Sequence, residues 1–254
     1  MMTSNFSEIQ KKSNPATVGW ALLDFPASVI WGDPEPIGDL MNCVETSDSF
    51  NAPDGRFCLF RCPVDLHLRC FIDKNGNPNL QNVDGDKSSV RQQMLSQLVQ
   101  LTSKNEWRHP DRPIIQVITP YICLADTPVY INQMPAYMHY SKTQLPGLLI
   151  DGRFPIDVWP RQLMWAFEWY DTKMEINLKR GDPWFYAKFE TEDPTQLVNL
   201  VECELTHEVK KYIQSLHGVT NYVRQTFSLF AQARKRRPKK LLFPLTKINS
   251  NNYE

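Results

Sequence analysis

Residues 163–170 read Leu-Met-Trp-Ala-Phe-Glu-Trp-Tyr. Successive side chains of an extended strand point to opposite faces, so Trp165, Phe167 and Trp169 share one face while Glu168 lies on the other. Three large rings on one face predict a strand that buries this face in a hydrophobic core. The alternative is a stacking platform for a sugar, a base or the proline of a peptide.

Similar short apolar segments flank this strand on both sides. Met174, Ile176 and Leu178 alternate with polar side chains, which is typical of a strand with one buried face. Prolines and turn residues separate further strand-like segments at 57–60, 66–72, 114–118, 129–133, 148–151 and 184–190. Many short strands at regular spacing predict a mainly β fold, with an antiparallel sandwich or a β-clip-like core.

Two regions depart from the strand pattern. Apolar residues recur at helical spacing in residues 88–104, which predicts one helix inserted into the β core. A second helical pattern begins after Thr206, a residue type that suits the N-cap position. We therefore expect a core domain at residues 1–205 and a C-terminal helix with a basic tail at 206–254. This appendage is expected to pack on the core or on a partner, such as a second copy of the chain.

The composition excludes several classes of protein. The 28 basic and 28 acidic residues balance over 254 residues, so the chain is not a globally basic nucleic-acid binder. Its 10 glycines form neither of the two commonest phosphate-binding loops. No apolar run approaches the roughly 18 residues that span a bilayer, and residues 1–15 lack the apolar segment of a signal peptide. We expect a soluble cytoplasmic protein without a membrane partner, in the host cytoplasm if a phage encodes it.

Charge is concentrated in two segments. Residues 33–54 contain acidic side chains and prolines but no Lys or Arg, which predicts a surface loop. Between 234 and 240 the basic residues are Arg234, Lys235, Arg236, Arg237, Lys239 and Lys240. This run has three interpretations: a helix end stabilised by the macrodipole, a contact with the acidic loop or another subunit, or a surface that binds a polyanion such as nucleic acid.

The chain has six cysteines, and no export signal accompanies them. A disulfide framework is therefore not expected. Cys58, Cys62 and Cys70 together with His67 have the residue types of a zinc site, whereas free buried thiols are the simpler interpretation.

A second metal hypothesis concerns iron. His109, Asp111 and His139 have the composition of a non-haem iron triad, in which two imidazoles and one carboxylate converge on one ion. A surface turn around Pro110 with an unrelated histidine is the simpler interpretation. We therefore predict no cofactor, with iron or zinc as the alternative.

Other polar side chains of the β region predict a cleft. His139 has the pKa range of a general base. Asp151 and Asp157 flank Arg153, either as paired carboxylates or as a turn held by an ion pair. Glu168 lies on the strand face opposite the rings. The predicted cleft residues are Tyr121, Asp126, Tyr130, His139, Asp151 and Glu168.

Several motifs of residues 57–190 occur together in one known family. They are Pro120-Tyr121, Thr127-Pro128, Tyr130, Gly147, Ile150-Asp151, Trp159, the aromatic strand 165–169 and Arg180-Gly181-Asp182-Pro183. With them the chain resembles a poorly characterised bacterial and phage family of unknown function. The resemblance implies a β-sandwich core and no established activity. The chain departs from that family at Asp151, which is followed by Gly152 in place of Trp.

A fainter likeness is to the dUTPase-type β-clip. The residues that match its spacing are Gly147, Asp151, Gly181, Asp182 and Phe189. The motifs that bind uracil and phosphate in that class are not visible, so the likeness implies a fold alone.

Two functions are consistent with these patterns. The first is a non-catalytic binding or assembly protein of bacterial or phage origin, with the aromatic strand face or the C-terminal helix as its contact surface. The alternative is a small-molecule enzyme, with or without the assistance of a metal, with a cleft near His139 and Asp151.

Overall fold

The computed structural model describes residues 14–25, 29–37, 56–88, 90–137, 139, 144–219 and 225–246. The strands in these ranges are β1 (Ala16–Leu22), β2 (Glu35–Pro36), β3 (Phe57–Arg61), β4 (Leu66–Ile72), β5 (Pro78–Asn82), β6 (Val99–Leu101), β7 (Ile114–Ala125), β8 (Val129–Pro135), β9 (Gly147–Leu149), β10 (Gly152–Pro155), β11 (Gln162–Trp169), β12 (Ile176–Leu178), β13 (Pro183–Thr191) and β14 (Val198–Glu202). The helices are α1 (Gln92–Leu98), α2 (His207–Val219) and α3 (Thr226–Arg236). The acidic loop predicted at 33–54 lies outside the described residues beyond Ile37.

The strands form three sheets. Sheet A has the order β14-β1-β7-β11-β9, with β6 also paired to β7, sheet B has the order β10-β8-β13-β3-β2, and sheet C has the order β12-β4-β5. Among the described strands every ladder is antiparallel except that of β1 with β14, which is parallel. The predicted mainly β fold is therefore confirmed, with one parallel pair that the sequence did not indicate.

The aromatic strand buries the face that its alternation predicts. Trp165, Phe167 and Trp169 of β11 belong to one hydrophobic core together with Phe60 of β3 and Phe185 of β13. Sheet A and sheet B therefore enclose these rings between them, as the two layers of a sandwich do. The inner face of sheet C closes the same core.

A proline interrupts the long central strand β7. Pro120 lacks an N–H, and the register of β7 against β11 shifts nearby, between Gln162 and Met164. Side chains supply hydrogen bonds there: Thr119 Oγ1 donates to the carbonyl of Leu163 at 2.8 Å, and Gln162 Nε2 donates to the carbonyl of Thr119 at 2.6 Å. Local polar side chains thus keep a proline-containing strand inside the sheet.

The C-terminal helices cover part of the other face of sheet A. Ile122 and Leu124 of β7 share a second hydrophobic cluster with Val209 and Ile213 of α2 and with Ala233 of α3. The cap predicted at the start of α2 is confirmed, because Thr206 Oγ1 accepts the N–H of Val209 at 3.4 Å. No helix in the described ranges is both long and apolar enough to cross a membrane.

The inserted helix is shorter than predicted. Residues 88–104 were expected to be helical throughout, but α1 ends at Leu98. Val99 adopts extended backbone angles, with φ −122° and ψ 128°, and begins β6, which pairs with β7. Val99 is β-branched and buried, so pairing with the sheet satisfies its backbone at little conformational cost.

Replacement of Gly147 tests the contact between β9 and β11. A Cβ at Gly147 would lie 2.0 Å from the carbonyl oxygen of Glu168 and 2.8 Å from the ring of Phe167. Because a backbone atom cannot move away cheaply, Gly147→Ala is expected to lower the free energy of unfolding by about 3 kcal/mol. Urea unfolding followed by tryptophan fluorescence measures the change.

Gly152→Ala is the matched control, because a Cβ there meets nothing within 4 Å. We expect this variant to change the free energy of unfolding by less than about 0.5 kcal/mol. Similar small effects in both variants would contradict the close packing of β9 on β11.

Candidate functional site

A cleft of about 580 Å³ opens where the three sheets meet. Its walls come from the end of β8 and the turn after it, from β9, β11 and β12, and from the start of β13. The lining residues that matter most here are His139, Leu148, Trp165, Phe167, Asn177 and Trp184. A volume of this size suits a small organic ligand. We call this feature the junction cleft.

A β-bulge places Trp184 in the wall of the junction cleft. Pro183 and Phe185 pair with consecutive residues of β3, so Trp184 is an extra residue in the ladder. Neighbouring residues of a regular strand face opposite sides, but the bulge allows both Trp184 and Phe185 to enter the core. The centroid of the Trp184 ring lies 5.8 Å from that of Trp165, which itself stacks on Phe167 at 4.7 Å.

Two buried polar atoms of the cleft residues have no hydrogen-bond partner among the described residues. They are Nε1 of Trp184 and Oδ1 of Asn177. Trp184 is only 3% exposed, so its N–H has little access to bulk water. An unsatisfied buried polar group costs about 1–3 kcal/mol. One donor and one acceptor are therefore left unsatisfied, among the described residues, in side chains that line the junction cleft.

His139 is the one predicted cleft residue that lines the junction cleft. A hydrogen bond joins its Nδ1 to the hydroxyl of the buried Tyr186. Burial and, secondarily, the guanidinium of Arg61 lower the pKa of His139 below its usual 6.5, against the opposing effect of Glu35. The imidazole is therefore neutral at pH 7, and one of its nitrogens is already occupied.

Tyr121 and Asp126 have structural contacts elsewhere. Tyr121 is buried in the core, where its hydroxyl donates to the carbonyl of Gly32, and burial raises its pKa well above the usual value. Asp126 Oδ1 accepts the N–H of Leu241 at 2.6 Å, which holds the C-terminal segment on the core. Neither Tyr121 nor Asp126 lines the junction cleft, although the sequence predicted both as cleft residues.

The other three predicted cleft residues are also dispersed. The guanidinium of Arg153 lies over the ring of Tyr130 at 4.0 Å, and its Nε donates to Glu190 at 2.9 Å. Arg153 therefore pairs with Glu190, and the predicted Asp151–Arg153–Asp157 turn is not what holds it. Asp151 is exposed between β9 and β10. Glu168 is buried on the face opposite the rings, as predicted, and forms an ion pair with Arg108.

The predicted iron triad does not assemble. His109 Nδ1 accepts the N–H of Asp111 at 3.2 Å, so these two residues form a local turn. His139 contacts Tyr186 in a different part of the molecule. No group of three or more His, Cys, Asp or Glu within the described ranges is arranged to hold a metal ion.

The predicted zinc ligands are equally separate. Cys58, Cys62 and Cys70 are buried free thiols, and burial raises the pKa of Cys62 to about 12. A thiol with so high a pKa is a poor nucleophile and a poor metal ligand at neutral pH. His67 instead contacts two carboxylates, a network that the sequence reasoning missed.

That network lies on the surface of sheet C. His67 Nδ1 donates to Asp84 at 2.9 Å, and Nε2 donates to Glu175 at 2.6 Å. Arg69 Nε donates to the same Glu175 carboxylate at 2.8 Å. Burial lowers the pKa of His67, but the hydrogen bonds to Asp84 and Glu175 outweigh it, so the pKa lies above 6.5. Both ring nitrogens of His67 already form hydrogen bonds to carboxylates. This arrangement is typical of a structural ion cluster, whereas a catalytic base needs a nitrogen that can reach the substrate.

Part of the basic run is fixed internally. Arg237 Nε donates to the carbonyl of Asp157 at 2.5 Å, and its Nη2 donates to the carbonyl of Ala125 at 3.2 Å. Arg234 Nη2 lies 3.9 Å from Asp157 Oδ2. The ion-pair partners of these two arginines among the described residues are therefore Asp126 and Asp157. The predicted contact with the acidic loop 33–54 lies largely outside the described residues and stays a prediction.

Comparison with known proteins identifies no relative. No family model, no curated protein and no solved structure matches this chain. The resemblance to a bacterial and phage family therefore stays a prediction from the sequence motifs.

The pH dependence of stability tests the His67 network. A raised pKa in the folded state stabilises the protein below pH 6.5 and loses that effect as the pH rises through the folded-state pKa. We expect His67→Gln to lower the free energy of unfolding more at pH 6 than at pH 8.5. Urea unfolding of both proteins across this range measures the difference.

His207→Gln, which replaces an exposed histidine of α2, is the control for the loss of a surface histidine outside the network. His139 titrates in all three proteins, so its opposite contribution cancels in the comparison. A loss that is equal at both pH values would show that His67 is not charged within this network.

Proposed function

We propose that this protein is a non-catalytic binding protein and that its ligand site is the junction cleft. The observation that carries the proposal is the pair of buried, unpaired polar atoms, Nε1 of Trp184 and Oδ1 of Asn177, beside aromatic walls. Apolar pockets with a few directed polar groups are the usual form of small-molecule sites. The bacterial or phage origin belongs to the same proposal and rests on the sequence motifs.

The lining favours a neutral, flat ligand. Trp184 offers a donor and Asn177 offers an acceptor, so the ligand needs one acceptor and one donor of its own. Trp165, Phe167 and Trp184 line the cleft, and aromatic walls favour an aromatic ring over a flexible chain. A heteroaromatic amide or lactam, which carries a C=O and an N–H on a planar ring, meets all of these requirements.

The dispersal of acid–base groups supports binding over catalysis. Of the six residues predicted to form a cleft, His139 alone lines the junction cleft, and its Nδ1 is bonded to Tyr186. General acid–base catalysis needs a positioned donor or acceptor within hydrogen-bond reach of the substrate. Asp151, the carboxylate that the enzyme hypothesis pairs with His139, is exposed outside the cleft.

Binding of three probes tests the proposal. Nicotinamide, pyridone and uracil each carry a planar ring with an amide or lactam group. We expect at least one of them to bind with a Kd below about 1 mM, measured by saturation-transfer NMR. Trp184→Phe keeps a ring and removes the N–H, and should weaken binding about fivefold through the loss of one hydrogen bond.

Leu148→Arg supplies a second variant that does not disturb the core. Leu148 is partly exposed in the cleft wall, so a long cation there should block entry and abolish probe binding. Leu197→Arg is the matched control, since Leu197 is similarly exposed and does not line the cleft. Failure of all three probes to bind, or equal binding by Leu148→Arg, would overturn the proposal.

A further inference from the structure

The chain has no net charge, but its basic and acidic residues are distributed unevenly along the sequence. Residues 209–253 contain ten Lys or Arg and no Asp or Glu, whereas residues 1–208 contain 18 basic and 27 acidic residues. The described part of this basic stretch forms most of α2, all of α3 and the segment after α3, which together cover sheet A. A charge difference of this kind between two parts of a chain indicates a polyanion-binding surface.

Arg237 has a structural role, because it attaches the segment after α3 to the core. The Arg237 guanidinium donates to the main-chain carbonyls of Ala125, Asp126 and Asp157. The N–H of Leu241 donates to Asp126 Oδ1 at 2.6 Å. Contacts at Arg237 and Leu241 thus hold the backbone of residues 237–241, which carries Lys239 and Lys240, on the core.

The neighbouring cations face outward. Arg234, Lys235, Lys239 and Lys240 are exposed. Arg234 and Lys239 line one shallow concavity of about 330 Å³, together with Asp126 and Asp157, the ion-pair partners of Arg237 and Arg234. No carboxylate in the described ranges forms an ion pair with Lys235, Lys239 or Lys240, and Lys240 Nζ lies 5.1 Å from the centroid of the Phe243 ring. Among the described residues, then, the charges of these three lysines are not neutralised by a carboxylate, whereas Arg234 lies near Asp157.

An exposed aromatic ring lies on the same side of α3 as two of the cations. Phe227, Ala231, Arg234 and Lys235 are spaced i, i+4, i+7 and i+8, so they share one helix face, and all four are exposed. Phe227 is 89% exposed, and about 10 Å of helix separates it from Arg234. The opposite face of α3 packs on the core through Ala233 and the residues beside it.

We propose that this surface of α3 and the segment after it binds single-stranded nucleic acid. The ring of Phe227 stacks on a base, and the lysines and Arg234 neutralise phosphates, which is the combination that such surfaces use. A membrane fits less well, because the apolar face of α3 is already packed against the core. This surface is independent of the junction cleft, and either proposal stands without the other.

The salt dependence of binding separates the contributions of charge and ring. The probe is a fluorescein-labelled oligothymidylate of about 20 nucleotides, and the readout is fluorescence anisotropy with the full-length protein at several salt concentrations. Lys235→Ser, Lys239→Ser and Lys240→Ser in one protein should reduce the slope of log K against log salt by about 2, since each phosphate contact contributes about 0.7. Phe227→Ala should weaken binding about tenfold at every salt concentration and leave the slope unchanged.

Lys74→Ser, Lys87→Ser and Lys173→Ser in one protein form the matched control. These lysines are exposed in the β layers, and their removal changes the net charge by the same amount. The control should bind the oligonucleotide as the wild type does. An equal loss in the control would overturn the proposal, because binding would then follow net charge alone.

Three further results would overturn it. The first is an absence of oligonucleotide binding at about 50 mM salt. The second is a dimer in sedimentation velocity that the substitutions at 235, 239 and 240 dissociate, because these cations would then contact the acidic layers of a second copy. The third is binding to vesicles that contain phosphatidylserine, sensitive to the same substitutions, in the absence of binding to the oligonucleotide.

Discussion

The stacked aromatic rings between sheet A and sheet B are the feature on which the rest of the structure depends. Phe60 and Phe185 stack within sheet B at 4.6 Å, and Trp165 and Phe167 stack within sheet A at 4.7 Å. Facing sheets lie about 10 Å apart, and these rings fill that space. Trp184, brought inward by its bulge, belongs to the same core and lines the junction cleft. The walls of that cleft come from strands of all three sheets.

The helical layer gives the molecule two chemically different sides. Ile122 and Leu124 hold α2 and α3 on the outer face of sheet A, and Arg237 secures the segment that follows. Residues 1–208 contain 27 of the 28 acidic residues, whereas residues 209–253 contain ten Lys or Arg and no Asp or Glu. A chain with no overall charge can therefore present one strongly positive surface, while the cleft at the sheet junction remains largely neutral.

The alternation of residues 163–170 was sufficient to predict which rings are buried, because strand periodicity is a local property. The C-terminal helix and its Thr206 cap were predicted for the same reason. The junction cleft was not, since its walls come from five strands and its key donor, Trp184, depends on a bulge that only the pairing of β13 with β3 reveals. The His67 network joins residues about a hundred positions apart, and no spacing rule connects Glu175 to His67.

The most direct measurement is the indole N–H resonance of Trp184 in protein with isotope-labelled tryptophan, before and after saturation with whichever lactam or amide probe binds. The N–H of Trp169 is an internal reference, because it already donates to the carbonyls of Asp171 and Met174 at 3.0 Å. We expect the Trp184 resonance to shift downfield on binding while that of Trp169 stays in place. A bound probe that leaves the Trp184 resonance unmoved would contradict the assignment of the junction cleft as the ligand site.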